Sequence, residues 1–405
     1  MISPDRQFYF QTMDIKNLVS VAGGKGPYQN ILDAVGRLDL SELQNKKVLI
    51  KPNAGRHVAG KKGITTHPEA VEAVIDLVRQ AGAADIAIGE SPILGVNTLE
   101  AFETTGIANA ARKKNIRLID MDARKPVIKP VKNGRVLESL TFCADIFDFD
   151  IILSLPVAKS HMHTQVTLGI KNMKGCLWHR EKVRLHQLEY RIGREFPEKT
   201  LDAAISDMAT LLLPQLTVVD GYIGMEGLGP SSGDSVQSDF AVASWNPLAA
   251  DKVAAELMGF SLDEVAHLRL IHERAIVSLE GVTVLPDSYR EFGRSFARSP
   301  SKIDLVFPNI MVHDKGSCSA CLSTTLLFLK RFAEELGDYV LSDGKLHIAI
   351  GKDVTDYPEG TILIGNCTAK GRHKGVFVPG CPPVASRIFK AITGAEPETN
   401  EPDQK

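Results

Sequence analysis

The sequence has few aromatic residues and almost no net charge, and both shortages limit what the protein can bind. Phenylalanine, tyrosine and tryptophan make up 6% of the 405 residues, and the formal net charge is −2. Proteins that bind nucleic acids usually need aromatic stacking platforms or a strong positive field, and binding to anionic membranes also needs positive charge. We therefore expect no nucleic acid and no membrane among its partners.

Long apolar runs are also missing. No stretch approaches the roughly 20 apolar residues that a membrane-spanning helix needs. Residues 1–14 lack the basic, apolar and small-residue regions of a signal peptide. These absences predict a cytoplasmic protein. In that reducing compartment the six cysteines are expected to be metal ligands or buried thiols rather than disulfides.

What the sequence does contain is an alternation of short apolar strands with amphipathic helices. Residues 48–50, 86–88 and 151–153 are typical of buried strands. Residues 68–81 have the apolar spacing of a helix, and Thr66 with Glu69 matches the capping pattern that precedes one. Strands that are apolar on both faces and separated by helices predict a mainly parallel sheet inside a three-layer α/β domain.

The length of the chain predicts more than one domain. Residues 15–295 are expected to form the main α/β domain, and residues 300–395 a smaller C-terminal α/β unit. Residues 396–405 are almost entirely polar and are expected to form a disordered tail.

Four cysteines lie in the smaller unit and predict a four-thiolate metal site. Cys318 and Cys321 are two residues apart, a gap that lets both thiolates reach one metal centre. Cys367 and Cys381 follow glycine-containing turns and would complete the site from a distant part of the sequence.

The spacing of these cysteines favours an iron–sulfur cluster over zinc. Structural zinc sites usually contain two closely spaced pairs, whereas only the first pair has that form here. Scattered third and fourth thiolates suit a 4Fe-4S cluster, whose ligands span a larger volume than one ion. Zinc is the alternative, and unliganded cysteines are a third interpretation.

Polar residues follow several of the predicted strands, where parallel sheets usually bind their ligands. Lys51 and Asn53 follow the first strand and are candidate substrate-binding residues. Glu90, Lys159 and His161 follow later strands and are candidate catalytic acid or base groups. Taken singly, each could equally be a surface residue or a helix cap.

A basic segment and a glycine-rich loop extend the candidate anion site. Lys171, Asn172 and Lys174 belong to the basic segment and are candidate substrate-binding residues, with a solvated surface as the alternative. Gly227 and Gly229 would let backbone N–H groups approach an anion, although a structural turn explains them as well.

Two other pairs give weaker signals. His161 and His163 could share a second metal in an extended segment, but no carboxylate follows at the spacing of a zinc protease. Cys176 lies among basic residues and Cys143 in an apolar run, and we expect a buried bystander and a core residue respectively.

Six short motifs in one order along residues 17–260 resemble the family called domain of unknown function 362. The motifs are Ile50-Lys51-Pro52-Asn53, Thr66-His67-Pro68-Glu69, Gly89-Glu90-Ser91, Pro156-Val157-Ala158-Lys159-Ser160-His161, Lys171-Asn172-Met173-Lys174-Gly175, and Asp220-Gly221 through Gly227-Leu228-Gly229-Pro230. The resemblance implies an iron–sulfur protein, since members are commonly described so and are frequent in anaerobic microbes. Their reaction is generally not assigned. The ferredoxin-like cysteine run that many members carry is missing from this sequence.

The residues and the resemblance together predict an iron–sulfur oxidoreductase, or another cluster-dependent enzyme, that acts on a small anionic substrate. A ferredoxin-like electron donor is an expected partner, and a homo-oligomer could use Trp178 and Trp245 at its interface. Two other functions stay open. One is a non-catalytic electron-transfer or accessory protein, and the other is a zinc-stabilised transferase or ligase that binds phosphate.

Overall fold

The computed structural model describes residues 17–190, 193, 196–299, 307, 309–337 and 339–396. Two compact units can be distinguished. The first contains the residues up to Lys182 and Tyr190–Arg298, and the second contains Val183–Glu189 and the residues from Ser299 onwards. Apart from Glu396, the predicted disordered tail lies outside the described residues.

Within its described residues, the first unit contains a ten-stranded mixed sheet and a separate antiparallel pair. The strands are β1 (Leu18–Gly23), β2 (Lys47–Pro52), β3 (Asp85–Glu90), β4 (Arg117–Asp120), β5 (Val127–Pro130), β6 (Ser139–Phe142), β7 (Ile151–Leu155), β8 (Val157–His161), β9 (Gln165–Thr167), β10 (Leu216–Glu226), β11 (Asp234–Ser244) and β12 (Thr283–Leu285). The separate pair is formed by β5 and β6.

Most strand pairs of the large sheet are parallel. Its order is β12-β1-β11-β10-β7-β2-β3-β4, and β8 also pairs with β10. The run from β10 to β4 is parallel throughout, whereas β11 is antiparallel to both of its neighbours. The prediction of an α/β fold with a mainly parallel sheet is therefore confirmed.

Helices connect the strands of both units. They are α1 (Pro27–Val35), α2 (Pro68–Gln80), α3 (Thr98–Thr105), α4 (Ile107–Lys113), α5 (Gly169–Asn172), α6 (Glu181–Arg184), α7 (Thr200–Ala209), α8 (Pro247–Leu257), α9 (Ala266–Glu273), α10 (Ser319–Phe332) and α11 (Ala385–Thr393). The apolar faces of α1 and α2 belong to the same buried cluster as β2, which includes Ile31, Val74 and Ile50.

The start of α2 differs from the prediction. His67, not Thr66, is the N-cap residue, and its Nδ1 accepts the backbone N–H of Glu69. The Thr66 hydroxyl instead donates to the carbonyl of Leu155 and accepts the backbone N–H of Asn53. Thr66 therefore links the segment after β2 to the end of β7.

The second unit contains a four-stranded parallel sheet in its described residues, in the order β13-β14-β15-β16. These strands are β13 (Ile310–Asp314), β14 (Leu346–Ile350), β15 (Thr361–Ile364) and β16 (Gly375–Val378). Helices α10 and α11 contact each other through Phe332 and Phe389, whose ring centroids are 4.7 Å apart. Because all four strands are parallel, the loops after them meet at one edge.

Candidate functional site

Polar side chains gather at the edge where β2, β3 and β7 end. In the parallel register Ile50 pairs with Ile88, and Lys51 pairs with Ser154. Lys51, Glu90 and Ser154 therefore reach the same edge. This is the crevice in which open parallel sheets usually bind ligands.

Three of the predicted site residues bind one another at this edge. Lys51 Nζ donates to Glu90 Oε2 at 2.8 Å, to Asn172 Oδ1 at 3.0 Å and to the Pro52 carbonyl at 2.7 Å. Glu90 also accepts the backbone N–H groups of Ala54 and Ser91. All three ammonium protons of Lys51 are thus used, so this lysine holds the edge together.

Lys159 is buried and binds the predicted site residue Asn53. Its Nζ donates to Asn53 Oδ1 at 2.6 Å and to the Ile64 carbonyl at 2.8 Å. Burial, helped by the positive charges of Arg56 and Lys51, lowers the pKa of Lys159 to about 7. Its amine can therefore gain or lose a proton near neutral pH.

Arg56 is a candidate site residue that the sequence did not predict. Its positive charge reaches Lys159, and burial lowers its pKa. The described residues provide its guanidinium with no hydrogen bond or ion pair. The available signal was its place three residues beyond Asn53, in the loop that follows β2.

Lys171 lies on the short helix α5 and is 7% exposed. Its Nζ donates to Thr167 Oγ1 at 3.3 Å. Burial lowers its pKa well below the usual value, and the charges of Lys174 and Lys159 act in the same direction. An anion near this amine would relieve that repulsion.

Lys174 and Lys182 extend the positive region. Burial lowers the pKa of Lys174 to about 7, with a further contribution from Lys182. Lys182 donates to the Ser91 hydroxyl and to the Leu177 carbonyl, and its Nζ lies 3.8 Å from Asp122 Oδ2. We call the linked side chains the cationic cluster: Lys51, Arg56, Lys159, Lys171, Lys174 and Lys182.

The predicted catalytic residue His161 and its neighbour His163 are buried. Their ring centroids are 5.7 Å apart. His161 Nδ1 accepts the backbone N–H groups of His163 and Thr164, at 3.1 and 3.4 Å. That nitrogen therefore stabilises the turn after β8.

The predicted anion-cradling glycines lie in the loop between β10 and β11. The N–H of Gly227 donates to the Ala297 carbonyl at 2.9 Å, and the N–H of Gly229 donates to the Gly227 carbonyl at 2.8 Å. A Cβ at Gly229 would collide with the Ser160 carbonyl. Both N–H groups are therefore used in hydrogen bonds within the protein. The lack of a side chain at Gly229 lets the loop approach β8 closely.

The four late cysteines follow the strands of the second sheet. Cys318 and Cys321 come after β13, Cys367 after β15 and Cys381 after β16. Asn366 joins the last two loops, since its N–H donates to the Gly380 carbonyl and its Oδ1 accepts the Gly380 N–H, both at 2.8 Å. Parallel strand order thus brings all four to one edge.

The thiols at this edge influence one another's ionisation. A hydrogen bond from Cys321 lowers the pKa of Cys318 to about 6, and the N–H groups of Cys321 and Ala320 at the start of α10 add to this. Donating that bond raises the pKa of Cys321, as do burial and the charges of Cys318, Cys367 and Cys381. In the described ranges, however, no group of three or more His, Cys, Asp or Glu side chains is arranged to hold a metal ion.

The two earlier cysteines are buried in the first unit. Burial raises the pKa of Cys176 to about 12 and also raises that of Cys143. Both thiols therefore stay protonated at neutral pH, as expected for structural residues.

The two tryptophans use their indole N–H groups inside the first unit. Trp178 donates to the Asp122 carbonyl at 3.1 Å, and Trp245 donates to the Asp39 carbonyl at 3.0 Å. Trp245 is 8% exposed. Neither ring offers a free indole N–H for a subunit interface.

A family model described as domain of unknown function, DUF362, matches residues 48–256. The matched range contains the whole cationic cluster, whereas the four late cysteines lie outside it.

Among curated proteins, a thylakoid-associated protein of Synechocystis sp. is 25% identical to this chain over 230 residues. The alignment covers 57% of this chain and 68% of the relative. No helix in the described residues combines the length and the apolar character needed to cross a membrane.

Two solved structures show weaker similarity. The lactate racemase apoprotein from Thermoanaerobacterium thermosaccharolyticum aligns with a TM-score of 0.39 and 12% identity, over 64% of this chain and 59% of that one. A protein from Thermotoga maritima aligns with a TM-score of 0.31 and 14% identity, over 54% and 56%. This chain spans less than two thirds of either protein, and neither similarity is high enough to assign a shared reaction.

Proposed function

Since the chain belongs to the DUF362 family, whose description assigns no reaction, we propose from its own two sites that it is an iron–sulfur enzyme acting on a small anion. An oxidoreductase is the reaction class that joins these two properties. A ferredoxin-like protein is the electron donor that such an enzyme would need.

The observation that carries the proposal is the excess of buried positive charge in the cationic cluster. Among the described residues, Glu90 binds Lys51 and Asp122 lies near Lys182, but no carboxylate binds Arg56, Lys159 or Lys171. Buried charges without partners are costly, and a bound anion would compensate them. The cluster is therefore suited to a carboxylate or phosphate ligand.

Each side chain of the edge has a role in this proposal. Arg56, Lys159 and Lys174 would bind the anion, while Asn53 holds the Lys159 amine in place. Asn172 would hold Lys51 in place through its two hydrogen bonds to that residue. Lys159 would also move protons, because a pKa near 7 suits a group that works at neutral pH.

The residues of the second unit fit a thiolate-bound cluster in their chemistry. Cys318, Cys321, Cys367 and Cys381 would be the four ligands, and the low pKa of Cys318 favours the thiolate that binds metal. A 4Fe-4S cluster held there by four thiolates would supply one-electron transfer.

A second function is favoured by the exposure of two of these ligands. Cys367 and Cys381 are exposed. Electrons could therefore pass directly to a protein partner, as in a non-catalytic electron-transfer or accessory protein. The two functions differ in whether the cationic cluster binds an anion.

Anaerobic purification with visible absorption, iron and sulfide analysis tests the cluster. We expect a brown protein that loses its absorption in Cys318→Ser and Cys367→Ser and keeps it in Cys143→Ala. A colourless protein that contains zinc would refute the iron–sulfur cluster and support the zinc site. A protein without metal would refute both.

Calorimetric titration with phosphate, malate and citrate tests the anion site. We expect one site that is lost in Lys159→Met and kept in Lys132→Met, since Lys132 is exposed. A protein that holds the cluster but binds none of these anions would favour the electron-transfer function.

A further inference from the structure

Among the buried lysines that the structure describes in the first unit, Lys171 has fewer partners than the others. Lys51, Lys159, Lys171 and Lys182 are each at most 9% exposed. Lys51 makes three hydrogen bonds, and Lys159 and Lys182 make two each. Within the described residues, Lys171 makes one, at 3.3 Å to the Thr167 hydroxyl. Its amine is therefore the least stabilised in the charged form.

The charges around Lys171 favour the neutral amine. Lys174 and Lys159 repel its proton, and Asp202 is the carboxylate that opposes them. Asp202 is itself bound to His267, whose Nδ1 lies 3.2 Å from its Oδ1. Burial and neighbouring cations are the conditions that turn a lysine into a nucleophile, because they leave its lone pair free.

The backbone on both sides of Lys171 is held in place. Asp251 accepts the N–H groups of Gly169 at 2.7 Å and Ile170 at 2.8 Å. On the other side, Asn172 Nδ2 donates to the Lys51 carbonyl at 3.0 Å and to Ser154 Oγ at 3.1 Å. The amine therefore projects from a fixed segment, as a reacting group requires.

We propose that Lys171 is a nucleophile that forms an imine with the carbonyl carbon of a small oxo acid. The inference rests on the anion-binding function proposed above, since the cationic cluster would hold the carboxylate of the same molecule. It names the substrate class as an aldehyde or ketone that carries an acidic group.

The step balances without an oxidant or a reductant. The lone pair of Lys171 Nζ forms a bond to the carbonyl carbon, and the carbonyl electron pair moves to oxygen. Two protons leave the nitrogen and the oxygen leaves as water, so that a C=N double bond replaces C=O. Lys159 can carry these protons, because its own pKa lies near 7.

Reductive trapping tests the proposal. The full-length protein is incubated with pyruvate or 2-oxoglutarate and sodium borohydride, which reduces an imine to a stable secondary amine. We expect one adduct per chain, found on Lys171 by peptide mass mapping. L-lactate, which has no carbonyl beside its carboxylate, should leave no adduct. An adduct spread over surface lysines, or none with either oxo acid, would overturn the proposal.

Lys171→Arg provides the matched variant because it keeps a long basic side chain and loses the nucleophilic amine. We expect it to trap nothing at position 171. Lys132→Arg should trap normally. An adduct of unchanged yield in Lys171→Arg would show that another lysine reacts.

A measurement on the unchanged protein covers the case in which the variant does not fold. Competitive acylation across pH compares the reactivity of each lysine, and Lys171 should begin to react at a lower pH than the exposed lysines. Reactivity that begins only where exposed lysines react would overturn the proposal. If the unchanged protein binds anions but no adduct is trapped, this inference alone is overturned. If the unchanged protein binds no anion, the proposed function on which the inference rests is overturned as well.

Discussion

Lys51 Nζ lies 2.8 Å from Glu90 Oε2, and the two side chains are 1% and 2% exposed. The pair joins the ends of β2 and β3 beneath the cationic cluster. Because each partner neutralises the other, neither provides a free charge for a ligand. Lys51 and Glu90 therefore have a structural role at the edge of the sheet, and binding of an anion falls to the other members of the cationic cluster.

Glu90→Gln should destabilise the protein by about 3–5 kcal/mol, because it leaves the ammonium of Lys51 buried without its counter-charge. Urea unfolding of the purified variant measures the change. Glu103→Gln removes one partner of an exposed pair with Arg112, and no measurable change is expected there. The combined change Glu90→Gln with Lys51→Met should recover part of the loss. Equal stability of Glu90→Gln and the unchanged protein would show that the pair is not formed.

Gly175→Ala should also disturb the pair of Lys51 and Glu90, because Gly175 packs against both side chains. A Cβ at this position would lie 2.5 Å from Lys51 Cε and 2.6 Å from its Nζ, and it would also press against Glu90 Oε1. We expect a loss of about 1–3 kcal/mol from overpacking, measured by thermal or urea unfolding. Gly55→Ala is the control, since the nearest atom to its Cβ is 4.0 Å away. A neutral Gly175→Ala would contradict the close approach of this turn to Lys51.

Gly365→Ala should reduce metal loading at the cysteine edge. Its φ is +93°, and a Cβ there would lie 3.1 Å from Cys321 Sγ. Gly344→Ala has a similar φ of +75° but no atom within 4 Å of the added Cβ, so it carries the backbone strain alone. Gly365→Ala should lose more stability than Gly344→Ala, because the ψ of 155° at Gly365 belongs to a backbone region that only glycine adopts readily. The iron content per chain should fall in Gly365→Ala and stay unchanged in Gly344→Ala. Equal iron content in the two variants would argue against crowding of the Cys321 thiol by the added Cβ.

Anion binding should weaken as the pH rises through 7. Burial lowers the pKa of Lys159 and of Lys174 to about 7 each, and only their protonated forms attract an anion. Affinity should therefore be highest below pH 7. Above it, each proton that must be taken up lowers affinity by up to about tenfold per pH unit.

Calorimetry with phosphate-free buffers and malate as the ligand, from pH 6 to pH 9 (on the order of three units around the pKa values), measures this dependence. Lys159→Arg keeps its charge across the range, so its slope should be smaller by about one proton. An affinity that does not change with pH would mean that these amines stay charged in the free protein.

The strands and the positions of the polar residues could be read from the sequence. The apolar runs at 48–50 and 86–88 lie in β2 and β3, and the predicted carboxyl-end residues Lys51 and Glu90 lie at their ends. The cap of α2 could not be read, because Thr66 and His67 are both polar and the Thr66 hydroxyl is used by the Leu155 carbonyl, 89 residues away in the sequence. Arg56 was not predicted because the sequence around an arginine in a loop does not indicate whether its side chain is buried.

The sequence by itself determined the mainly parallel α/β fold and the positions of Lys51 and Glu90 near the ends of their strands, because strand and helix periodicities are local properties of the chain. Only the tertiary structure decided which lysines have partners. Lys51 meets Glu90 across 39 residues and Asn172 across 121, whereas Lys171, one position before Asn172, meets neither. The pairing depends on strand order and on the direction of each side chain, and these arise only when distant segments pack against each other.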